Sequence, residues 1–66
     1  MILEDYIQRR NTIQLRAETR GDGARCWTEL GVANRHIERV VMGTLKLQQV
    51  EPEIVACLRR VEKLYE

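Results

Sequence analysis

The sequence predicts an all-α fold, a compact domain of four to five helices, and three observations carry that prediction. Apolar residues recur at spacings of three and four over much of the chain, most cleanly at Ile54, Cys57, Leu58, Val61, Leu64 and Tyr65. Only three aromatic residues are present (Tyr6, Trp27, Tyr65), with no Phe, so the core is mostly aliphatic. Glycines and one proline punctuate the periodic runs where helices should start and stop. At 66 residues there is room for one domain, and a domain of that size buries only about 60% of the surface its unfolded chain exposes.

Taken in order, Ile2, Leu3, Tyr6, Ile7, Ile13 and Ala17 form the first helical stripe, interrupted by the polar run Arg9 to Thr12. Either one long helix or two shorter ones meeting near Asn11 fits. The run Arg20-Gly21-Asp22-Gly23 reads as a loop with a possible helix cap at Asp22. Two short helices follow: Cys26 and Leu30 share a face of one, and Ile37, Val40 and Val41 share a face of the other. Gly31 is expected to turn the chain between them in the left-handed conformation. Gly43 and Thr44 end the second of these helices. The stretch Leu45 to Val50 is too short to distinguish a strand, an extended loop or a helical turn. Glu51-Pro52-Glu53 then reads as the start of the last helix, because proline suits a first helical turn and acidic residues suit the positive end of the dipole.

Residues 23 to 42 therefore have the punctuation of a helix-turn-helix, and the chain resembles the transcriptional regulators of the Cro and phage-repressor type, including small autoregulators found beside phage genes. The resemblance spans about residues 13 to 62 and is specific between Gly23 and Met42. The apolar positions of that family fall on Cys26, Leu30, Val32, Ile37 and Val40, and its glycine on Gly31. Trp27 departs from the pattern, which has alanine or glycine where the two helices approach. A different crossing angle, or an outward Trp27 packed on the first or last helix, would accommodate it.

The resemblance implies sequence-specific DNA binding, with a recognition helix from Ala33 to Met42 in the major groove. Asn34, Arg35, Glu38 and Arg39 would then face the bases, since asparagine can bridge an adenine edge and arginine a guanine edge. Arg25, His36, Thr44 and Lys46 are the candidate phosphate contacts. Repression as a homodimer on a palindromic operator is the expected mode, with the two copies about 34 Å apart. Leu58, Val61, Leu64 and Tyr65 on the last helix form the expected dimer surface, with Leu45 to Val50 as a second candidate. The competing expectation is a small helical module or phage-type inhibitor that binds a protein through Trp27, since Trp, Tyr and Arg dominate interface hot spots. An ordinary solvated face is the plainest reading of Arg35, Glu38 and Arg39, which are spaced for salt pairs along a helix.

Charge gives DNA binding little help, because the net charge is only +1, although nine of the eleven basic residues are arginine. Enzymatic chemistry is not expected. The chain has no serine and one histidine, and its two cysteines lie on apolar stripes, so no nucleophile has an evident base. No metal-ligand spacing or glycine-rich phosphate loop occurs, and no cofactor or small-molecule substrate is implied. Cys26 and Cys57 read as buried, reduced thiols, and without a signal-peptide pattern or a bilayer-length apolar run the expected location is the cytoplasm.

Overall fold

A computed structural model of the chain describes residues 2–66, and four helices account for nearly all of them. The first, α1 (Ile2–Thr19), runs unbroken through the polar stretch at Asn11. The interruption is absorbed because Arg9 turns to Glu62 in the last helix, with a guanidinium nitrogen 3.1 Å from the carboxylate, while Arg10 extends along the helix flank. Ile13 and Ala17 are fully buried, and Leu3, Tyr6 and Ile7 pack against the core from one side. Ile2 is largely exposed.

Gly21, with φ 74°, ends α1 and lets Asp22 open α2 (Gly23–Glu29). Asp22 occupies the N-cap position, yet its side chain does not cap. The carboxylate instead accepts a hydrogen bond from the Tyr65 hydroxyl at 2.6 Å, tying the loop to the far end of the chain.

The junction between α2 and α3 (Gly31–Met42) differs from the expected glycine turn. A single residue, Leu30 (φ −79°, ψ 0°), ends one helix and begins the next. Its N–H donates to the Cys26 carbonyl and its carbonyl accepts from the Asn34 N–H, both at 2.9 Å. Gly31 is thus the first residue of α3, and its φ is not positive. This placement rotates the helix faces. On a continuous helix Val32 and Ile37 lie about 140° apart, because five residues advance about 500°. Both cannot face the core. Ala33, four residues before Ile37, is buried instead, and Val32 is 47% exposed.

The break leaves carbonyls at the end of α2 without helical partners. Side chains of the last helix take up that of Glu29: the Arg60 guanidinium donates to it at 3.0 Å and the Cys57 thiol at 3.6 Å. A cation at a helix C-terminus also meets the negative end of the dipole.

Gly43, left-handed at φ 83°, closes α3, and the Thr44 N–H reaches back to the Arg39 carbonyl at 3.0 Å. The stretch left open by periodicity is short connection and helix: α4 (Leu47–Leu64) starts four residues before Glu51. The Gln49 side chain accepts from the Lys46 N–H at 3.0 Å and serves as the start signal in place of the proline. Pro52 lies inside α4 and is exposed, so the carbonyl deprived of its partner can turn to water.

Near their N-termini α1 and α4 meet through the Tyr6 hydroxyl and Glu51, and just past their C-termini through Arg20 and the Glu66 carbonyl. The two long helices therefore run in the same direction; α2 packs on α1 and α3 on α4, and the two short helices join at Leu30. Leu30, Ile54, Leu58 and Val61 fill the centre, and Cys26 and Cys57 are free, buried thiols. Among the described residues there is no strand, and no helix is long and apolar enough to cross a membrane.

Candidate nucleic-acid interface

The helix α3 carries most of the residues that the sequence offers to DNA, and its placement sorts them. Ala33, Ile37 and Val40 point it at the core, so Arg35, Glu38, Arg39 and Met42 lie on the opposite, exposed side. The expected salt pairs along this face do not form. Among the described residues, the ion pairs join Arg9 to Glu62 and Arg60 to Glu29, His36 lies against Glu53, and neither Arg35 nor Arg39 has a carboxylate within 4.0 Å. Two free guanidiniums thus sit one helical turn apart.

Asn34 and His36 do not sit where the sequence offers them to DNA. Asn34 is half-buried, with its Oδ1 accepting a long hydrogen bond from Arg10 at 3.5 Å and its Nδ2 buried without a partner. It faces α1, because position 34 lies about 100° round the helix from the buried Ala33, on the flank that meets Arg10. His36 flanks the core on the other side, its Nε2 lying 2.8 Å from Glu53 of α4. Neither side chain projects outward to a duplex.

The remaining phosphate candidates are exposed but scattered. Arg25 stands on α2, and Thr44 and Lys46 lie beyond α3. The Thr44 hydroxyl already donates to the Arg39 carbonyl at 3.1 Å, which leaves only its acceptor capacity free.

The proposed dimer stripe is mostly consumed by the fold. Leu58 and Val61 are fully buried and Tyr65 is 5% exposed, so they have no surface to offer a second copy. Only Leu64 remains half-exposed. Leu58, Val61 and Tyr65 belong instead to the single core cluster that also holds Leu30, Ala33, Ile37 and Ile54.

Trp27 points outward, 48% exposed, with the Arg10 guanidinium 5.4 Å from its ring centroid. Outward packing beside the first helix is therefore how the fold accommodates this side chain. Arg10 is a contributor that periodicity did not single out. It joins Trp27 and Asn34 across 17 and 24 positions of chain, and the only trace in the sequence is the polar interruption of the α1 stripe.

On the other flank, Val32, Glu53, Ala56, Cys57 and Arg60 line an open groove of about 330 Å³ between α3 and α4. Among the described residues, no three potential metal ligands converge there or elsewhere. Comparison with protein families, with characterised proteins and with solved structures finds no match to the chain.

Proposed function

We propose that the protein binds duplex DNA through the exposed face of α3, with Arg35 and Arg39 as its principal contacts. The observation that carries this reading is their pairing: two arginines one turn apart, solvent-exposed and free of carboxylate partners, on a 12-residue helix. A helix of that length fits the major groove, and arginine can take guanine edges or phosphates. Glu38 between them disfavours phosphate and is tolerated where it accepts from a cytosine amino group. Arg10, held on Trp27 at the flank of α3, supplies a third guanidinium without a carboxylate partner among the described residues. Regulation as a homodimer, repressing at a palindrome, remains the biological form of the proposal, with a dimer surface other than the buried α4 stripe.

A protein partner is the second reading, favoured by the half-exposed Trp27 together with Val41 and Met42, which are 64% and 69% exposed on α3. Fluorescence anisotropy separates the two. The protein is titrated into labelled duplex from upstream of its own gene and into a scrambled duplex, at several salt concentrations. Preference for the native duplex with a steep loss of affinity in salt is the expected result. No binding at low salt refutes the DNA reading and leaves the protein partner.

A further inference from the structure

We infer that the groove face of α4 is a self-association surface, on which a second copy of this chain docks antiparallel about a two-fold axis near Ala56. The partner is argued from charge. In the first half of α4, residues 47 to 56, Glu51 turns to Tyr6 of α1, and the groove side carries Glu53 and no base. In the second half, residues 57 to 64, Glu62 turns to Arg9 of α1, and the exposed charges are the basic Arg59, Arg60 and Lys63, with Arg60 in the groove. A helix so divided is complementary to itself only when reversed, and antiparallel pairing also opposes the two helix dipoles.

A two-fold axis requires each contact to occur twice with its residues exchanged. On the groove side, Glu53 and Arg60 are separated by seven residues, about two turns, and they bracket Ala56 and Cys57. An axis midway between them sets Glu53 of one copy opposite Arg60 of its partner at both ends. At the axis itself the exposed residue is Ala56, small enough for two helices to approach closely. Val32, 47% exposed beside it, supplies apolar surface that nothing in the monomer covers. The intramolecular pairs of these residues do not prevent it, since Glu53 is 61% and Arg60 53% exposed in their side chains.

This surface deepens the DNA-binding proposal by naming its dimer contact, but it rests on the charges of α4 alone. The test is sedimentation equilibrium without DNA, so that its failure is separate from any failure of DNA binding. The whole chain is run at about 100 μM in low salt, where an interface with a micromolar Kd populates the dimer. Wild type is expected to be dimeric, and to dissociate as salt is raised. Glu53→Lys and Arg60→Glu are each expected to be monomeric, while their equimolar mixture forms a heterodimer. In the mixed pair the lysine introduced into one chain faces the glutamate introduced into the other, and the second contact keeps its native Arg60 and Glu53. Circular dichroism confirms that each variant is helical. Arg60 also holds the end of α2, so Ala56→Trp, at an exposed position, is run beside it and is expected to abolish the dimer. A monomeric wild type, a dimeric Ala56→Trp, or a mixture of folded charge variants that stays monomeric overturns the assignment.

Discussion

Gly31 and Gly43 form an internal comparison that tests the Leu30 junction directly. A Cβ built on either glycine meets no atom within 4 Å, so sterics do not separate them. They differ in backbone conformation: Gly43 sits at φ 83°, whereas Gly31 begins α3 without a positive φ. Replacing Gly31 by alanine removes conformational freedom from the unfolded chain and costs nothing in the folded one. Stability should rise by about 0.4 to 1 kcal/mol. In a domain of this size that raises the melting temperature by about 2 to 8 °C. Gly43→Ala must instead place a side chain in the left-handed region, which costs roughly 1 to 2 kcal/mol and lowers the melting temperature by about 4 °C or more. Thermal unfolding followed by circular dichroism, with urea titration to check that the slope is unchanged, measures both. If Gly31→Ala is destabilised as much as Gly43→Ala, then Gly31 occupies a left-handed turn and the single-residue junction is refuted.

Other perturbations probe the core, the loop closure and the exposed face. Leu58→Ala, which empties space at the centre of the core, should cost about 2 to 5 kcal/mol in urea unfolding, and a loss under about 1 kcal/mol would contradict its burial. The Tyr65 hydroxyl, pushed up to about 12 by its bond to Asp22 and then by burial, holds its proton more tightly folded than unfolded. Its stabilising effect is therefore whole below pH 10 and is lost as pH rises from 10 through 12. Phenolate absorbance should show this late ionisation, and Asp22→Asn should bring it earlier. Trp27 fluorescence should be open to acrylamide quenching and should quench further in Arg10→Ala; a shielded, insensitive spectrum would contradict its outward placement. Arg35→Ala and Arg39→Ala should leave the melting temperature unchanged and each weaken specific DNA binding by about 1 to 3 kcal/mol, read by anisotropy.

Of the residues that punctuate the chain, Gly21 and Gly43 were legible, whereas Gly31 and Pro52 fall inside helices. Gly43 ends α3 as its position implies, because a left-handed residue and the backbone bonds around it involve only the adjacent turn. The stripe from Ile54 to Tyr65 marks the core face of α4 correctly except at Leu64, since period alone decides which side chains share a face. The candidate DNA face was half-legible. Arg35, Glu38 and Arg39 are exposed as expected, whereas Asn34 and His36 turn to α1 and α4. That difference arises because Asn34 and His36 flank the buried Ala33 and Ile37 on either side, within reach of Arg10 on α1 and Glu53 on α4.

Helical identity, the all-α class and the approximate number of helices belong to the sequence, because hydrogen bonds within a helix join residues four apart and apolar period is read over a few turns. Tertiary structure decided where α2 gives way to α3 and what each face meets. The Leu30 junction is supported by Arg60 and Cys57 reaching the Glu29 carbonyl across 31 and 28 positions of chain. The Asp22 carboxylate leaves its own helix for a hydroxyl 43 positions away, and Arg10, bonded to the adjacent Asn11 side chain, also lies over the Trp27 ring. Such choices compare the partners that packing brings together. No local pattern contains that comparison, since the competing groups become neighbours only after the helices have assembled.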